Sequence, residues 1–279
     1  MSQTLFRPLR ETLGKFFADR GTHLAAMIAY FALLSLVPLV FLALSLIGLT
    51  GRPDETTYAV TELEKIFPGS SVTDIIDVVE SIQRNAATLG ILGAIFLAWT
   101  SLSLVSVLES AFNIVYGRPN RSFLRGKALA VATTLGSLLA LFVALLVGSV
   151  GYDVLKRFAP GFIANDYVAY TLSVVLSTVG VFVFLVSVYY LLPNEKVSFH
   201  EVLPGAVTAA IALEASFQVL PIYLRLSDDV IALQAFGGPA LLLVWLYVMA
   251  NVIVFGAEVN WWRARGRHEV VIDEVPGLA

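Results

Sequence analysis

Apolar residues run together along this chain in blocks long enough to cross a bilayer, and polar residues collect between them. The first block, Leu24 to Thr50, carries no Asp, Glu, Lys or Arg. A helix needs about 20 such residues to span the hydrocarbon core. That run is too long for the ~7–15-residue apolar region of a signal peptide. Further blocks lie at about Thr88–Leu108, Ala128–Tyr152, Tyr167–Leu192, Val202–Arg225 and Pro239–Trp262. The pattern predicts an all-α polytopic membrane protein with six transmembrane helices.

The segments between the blocks have patterns of their own. Over residues 2–20, Leu5, Leu9, Leu13, Phe16 and Phe17 share one helical face, while Arg7, Arg10, Glu11 and Lys15 lie mostly elsewhere. This is the signature of an interfacial amphipathic helix. Residues 51–87 hold seven Asp/Glu against three Lys/Arg. Asp54 and Ser71 are placed to cap two helices, Pro68-Gly69 separates them, and Val72, Ile75, Ile76, Val79 and Ile82 form an apolar stripe. An outer, extracytoplasmic helical hairpin is expected there. The resulting division is an interfacial helix over 1–23, a six-helix membrane domain over 24–262 that includes the hairpin 52–86, and a tail over 263–279.

Composition strengthens this picture. The 279 residues are 58% hydrophobic and 14% charged, against about 45–50% and 25% in a soluble domain. Twelve of the 18 Lys and Arg fall in segments that share a side with the N-terminus. The positive-inside rule therefore places both termini in the cytoplasm. Trp261-Trp262 followed by Arg263, Arg265 and Arg267 reads as an interfacial anchor. With no cysteine, thiol nucleophiles and thiolate metal sites are excluded.

Candidate chemistry is sparse. His23, His200 and His268 lie in separate segments without a second ligand at metal spacing. No phosphate loop or nucleophile elbow is visible, so no catalytic residue, metal or cofactor is expected. The basic loop at 118–127 suits topology and anionic lipid rather than nucleic acid. The exceptional feature is Glu214, mid-way along the fifth block. A carboxylate there costs at least ~2.5–3.5 kcal/mol and is kept only where something offsets it. Gln218, Pro221 and Arg225 follow on its face. On the sixth helix Tyr247, Asn251 and Glu258 share a face, and Asn251 lies at a depth similar to Glu214. These six polar residues form the candidate substrate or proton site, with Glu214 expected to bond Asn251 directly or through water. Pro38 and Pro221 are the candidate hinges. A purely structural carboxyl bonded to a neighbouring helix is the competing reading.

Four stretches carry a family resemblance. AAMIAYFALLSLVPLV (25–40), LAWTSLSLVSVLESAFNIVYG (97–117), YYLLPNEKVSFHEVLPGA (189–206) and LLLVWLYVMANVIVFGAEVN (241–260) resemble the YihY/BrkB family of bacterial inner-membrane proteins. The resemblance implies a location in the bacterial inner membrane and names no substrate. The family's older ribonuclease label finds no nuclease residues here. Leu233-Gln234-Ala235-Phe236-Gly237 departs from the family's usual Tyr-Gly-small-Leu-Gly segment. The expected function is a transporter or exporter of a lipid or other amphiphile. The alternative is a non-catalytic envelope assembly protein that docks a partner through its acidic outer hairpin. Membrane lipids are the expected partners, with a second copy of the chain or an envelope protein as further candidates.

Overall fold

The computed structural model describes residues 2–50, 86–136, 166–228 and 231–273, and all seven described helices are α. They are α1 (Ser2–Ala18), α2 (Gly21–Thr50), α3 (Ala86–Val115), α4 (described over 123–136), α5 (Asp166–Leu191), α6 (Phe199–Asp228) and α7 (Ile231–Asp273). Among the described residues, four segments are long and apolar enough to span a membrane: Ile91–Val115, Val174–Leu191, Phe199–Val219 and Ala240–Arg265. The outer hairpin expected over 52–86 lies outside the described residues save at its last position. So does the third expected span beyond 136.

The helix that carries the sixth block is longer than the block itself. It begins at Ile231, ahead of Pro239, runs through Gly237 and Gly238, and continues to Asp273. Once a long helix exists, each added residue gains a hydrogen bond without a new nucleation cost, so α7 extends past local turn signals.

The chain forms two compact units. One comprises residues 25–107 and 219–250. Its buried side chains include Ile28, Ala29, Thr100, Leu241 and Trp245, while Ile91, Leu92, Ile95, Phe96 and Trp99 are exposed. That inverted surface is what a lipid solvent requires. Its hydroxyls turn back on their own helices: Ser35 donates to the Phe31 carbonyl at 2.8 Å and Ser103 to that of Trp99 at 2.8 Å. Such bonds satisfy a polar group where no water is present. Pro38 lies inside the continuous helix α2.

The other unit comprises residues 1–24, 108–218 and 251–279. Here α1 is joined to α2 by a tight turn in which Arg20 takes a positive φ of 55°. Gly21 follows because any Cβ there would stand 2.4 Å from the Phe16 ring. Phe16 is buried and meets Phe255 edge-on at 6.1 Å. Leu9, Leu13 and Phe17 stay exposed, and Glu11 and Lys15 point toward α7. An interfacial helix with its apolar side toward lipid has this arrangement. Its charged side is anchored to protein.

Candidate functional site

The polar groups of this second unit gather where the spans end. α3 closes in a Schellman turn: Gly117 has φ 64°, its N–H reaches the Ile114 carbonyl at 3.0 Å, and Arg118 N–H reaches Asn113 at 2.7 Å. Asn113 is fully buried. Its Oδ1 accepts from the Asn194 amide at 2.6 Å and its Nδ2 donates to Asn120 at 3.0 Å. One side chain thus ties the α3–α4 connection to the α5–α6 connection. Arg121 reinforces the tie. Its guanidinium donates to Glu109 at 3.0 Å, to the Leu192 carbonyl at 2.5 Å and to the Pro193 carbonyl at 2.7 Å. A cation at the C-terminal carbonyls of α5 also complements the helix dipole. Arg121→Lys is expected to lower stability by about 1–3 kcal/mol, because an ammonium cannot reproduce the planar fork. Thermal unfolding in detergent reads this, and an unchanged midpoint would refute the tie.

The α1–α7 contact forms a second cluster. The Lys15 ammonium donates to the Val115 carbonyl at 2.7 Å and pairs with Asp19. It stands 3.1 Å from Glu258 Oε2, a charge contact without the alignment of a hydrogen bond. Glu258 is wholly buried. Lys15 also lies 4.3 Å above the Trp261 ring, and Trp262 Nε1 donates to Glu11 at 3.0 Å. The tryptophans expected as a membrane anchor therefore also hold α1.

A third cluster is the α6–α7 crossing. Gly205 N–H donates to Asn260 Oδ1 at 2.7 Å, and Tyr189 of α5 donates to the Ile253 carbonyl at 2.7 Å. Ala206, Ala209, Ala210 and Ala257 are buried around it. Small residues permit close approach of helices in membranes.

These clusters border a cavity of about 150 Å³, lined by Tyr116, Arg118, Glu195, Lys196, Trp261 and Arg265, with Glu201 at its side. Arg118 pairs with Glu195. Arg265 lies 5.8 Å over Trp261 and 3.8 Å from Glu11. The Tyr116 phenol oxygen is buried, with no hydrogen-bond partner among the described residues. Burial, then the negative charges of Glu201, Glu258 and Glu195, push its pKa well above the ordinary value. It therefore remains a protonated donor, and leaving it unpartnered costs about 1–3 kcal/mol.

The residues expected to form the site are divided between the two units. Glu214, Gln218, Asn251 and Glu258 belong to this unit; Tyr247, Arg225, Pro38 and Pro221 belong to the other. Ser177 Oγ donates to Glu214 Oε2 at 3.1 Å and Gln218 Nε2 donates to Oε1 at 2.9 Å. Glu258 is instead in the Lys15 cluster. Asn251 and Tyr247 are half-buried on α7. Sequence reasoning missed Lys15, Asn113, Arg121 and Tyr116 as site residues. A signal was present, because the stretches quoted for the family resemblance contain Asn113, Tyr116, Tyr189, Asn194, Gly205, Glu258 and Asn260, and here Asn113 meets Asn194 and Gly205 meets Asn260.

Known proteins share this framework in sequence. The chain is 27% identical over 264 residues to the ribonuclease-like protein YfkH of Bacillus subtilis, covering 90% of this chain and 93% of YfkH. It is 25% identical over 269 residues to a UPF0761 membrane protein of Chromohalobacter salexigens, and 29% over 267 residues to one of Rhodospirillum rubrum. Those matches cover 94% and 87% of this chain but only 64% and 57% of the two relatives. No solved structure matches. A family model described as virulence factor BrkB matches residues 12–273, from α1 through the end of α7. With four membrane-length spans and multi-pass membrane relatives, this chain belongs to the virulence factor BrkB family.

Proposed function

We propose that this protein transports or exports a lipid or other amphiphile across the bacterial inner membrane, without catalysing a covalent reaction. In this reading it has six spans and both termini in the cytoplasm. The observation that carries it is Glu214. The carboxyl lies inside the span Phe199–Val219, and both of its hydrogen-bond donors, Ser177 and Gln218, are neutral. Ser177 lies in a second span, Val174–Leu191. An ionisable group at that depth is costly and by default marks a pathway for substrate or protons. Gln218 and Ser177 are exposed, so the polar cluster lies at the surface of its unit rather than sealed in its core. The rival reading, partner docking through the acidic hairpin, rests on residues outside those described.

The test is flux of a labelled phospholipid in proteoliposomes. Wild type should exceed protein-free vesicles, and Glu214→Leu should fold yet lose at least about tenfold in rate, the equivalent of ~1.4 kcal/mol. Glu214→Gln retains the acceptor for Ser177 and Gln218. Loss of flux in that variant means that Glu214 carries a proton; retained flux means that it positions the substrate. Wild-type flux at the protein-free level, or Glu214→Leu at the wild-type rate, would sink the proposal.

A further inference from the structure

We propose that the cavity at the span ends binds a phosphate group, supplied by a phospholipid headgroup, with Lys196, Arg265 and Tyr116 as its donors. The inference deepens the transport reading, on which it rests for its biological use, by naming the class of amphiphile.

The first support is the balance of charges around the cavity. Three cations line it, Arg118, Lys196 and Arg265, against two carboxylates, Glu195 and Glu201. Both carboxylates are already engaged. Glu195 holds Arg118. Glu201 accepts from the Ser198 amide at 2.8 Å, as the third-position acid of a capping box at the start of α6. On the cationic side, capacity is left over. Lys196 is exposed and has no charged partner among the described residues. Arg265 pairs with Glu11 at 3.8 Å and lies 5.8 Å over the Trp261 ring, contacts that hold its guanidinium at the cavity wall. Arg118 pairs through Nε, leaving the outer N–H groups of its fork. The unused donors are therefore the Lys196 ammonium and the outer N–H groups of Arg118, the chemistry that recognises a phosphate.

The second support is Tyr116. Its buried hydroxyl has no partner among the described residues, and its residue lines the cavity. The phenol stays protonated beside the surrounding carboxylates, so it offers a hydrogen and not a negative charge. A phosphate oxygen would supply the missing acceptor.

The third support is depth. Spans end at Val115, Leu191 and Arg265 and one begins at Phe199, and the cavity residues occupy those junctions. This is the level of lipid headgroups, where tryptophan also concentrates. Trp261 lines the same cavity. A lipid lying beside the spans brings its phosphate to this height without leaving the membrane.

The full chain in detergent, analysed by native mass spectrometry, gives the test. The probes are phosphatidylglycerol, a diacylglycerol with the same chains but no phosphate, and inorganic phosphate as competitor. Phosphatidylglycerol should bind saturably and diacylglycerol should not. Lys196→Ala should weaken phosphatidylglycerol by about tenfold, and Lys196→Ala with Arg265→Ala by more. Tyr116→Phe should weaken it without lowering the unfolding midpoint. Lys196→Ala breaks no ion pair among the described residues, so it separates binding from folding. Competition by millimolar inorganic phosphate, sensitive to the same substitutions, would confirm the phosphate chemistry and overturn the headgroup as its source. Equal retention of the two lipids, or phosphatidylglycerol binding unchanged in the double variant, overturns the site. Binding that persists in a chain without flux overturns transport and leaves the phosphate site intact.

Discussion

Lys15→Met is expected to lower the stability of the protein by about 3–5 kcal/mol, the usual cost of removing one partner from a buried ion pair. Methionine keeps much of the apolar stem beside Trp261, so the substitution isolates the charge. Glu258 is wholly buried and its carboxylate oxygens make no hydrogen bond among the described residues. The ammonium 3.1 Å away is the compensation the structure provides. The same substitution removes the donor to the Val115 carbonyl at the end of α3. At roughly 2–4 °C per kcal/mol for a chain of this size class, the unfolding midpoint in detergent should fall by about 10 °C. The double variant Lys15→Met with Glu258→Met should recover most of the loss, because an apolar pair avoids the desolvation that the ion pair incurs. A single variant within about 1 kcal/mol of wild type, the range of an exposed pair, would show that the contact is not a buried one.

Gly205→Ala is expected to have an effect of similar size for a different reason. A Cβ at Gly205 would stand 2.0 Å from the Gly256 carbonyl oxygen and 2.4 Å from Asn260 Oδ1. The first obstacle is backbone, so relief requires α6 and α7 to separate. Overpacking of that kind costs about 1–3 kcal/mol or more. Separation also stretches the buried Gly205–Asn260 bond, and an unpaired buried polar group adds about 1–3 kcal/mol. Alanine regains about 1 kcal/mol of helix propensity, too little to reverse the sign. Gly256→Ala should cost less, because its nearest obstacle at 2.3 Å is the hydroxyl at the tip of the Tyr189 side chain. Gly180, with nothing within 4 Å, is the control; its alanine variant should be neutral or slightly more stable. Thermal unfolding of the three variants checks the order, and Gly205→Ala matching Gly180→Ala would refute the close crossing.

Length and apolarity alone determined that the described chain is built on long apolar helices. In hydrocarbon every backbone group must bond within its own segment, so the helical blocks at Thr88–Leu108, Tyr167–Leu192 and Val202–Arg225 were legible from local pattern. Each is contained in a longer or equivalent observed helix except at Leu192, one residue beyond the end of α5. The amphipathic character of residues 2–20 was legible for the same reason: it expresses partition between water and an apolar surface, which a single segment carries by itself.

Partnership was not legible. Lys15 and Glu258 are separated by nearly the whole chain, and nothing in an amphipathic pattern says that a charged face will turn toward protein rather than water. Arg121 reads as one member of a basic loop, yet it closes the end of α5 through carbonyls of Leu192 and Pro193. Glu214 announced itself because a carboxylate in an apolar run is conspicuous. Gly205 did not, because a small residue shows its purpose only when another backbone lies against it. Solvent acts on each segment separately and writes its preference into local composition. Ion pairs and close backbone contacts depend on which segments meet, and only the tertiary structure decides that.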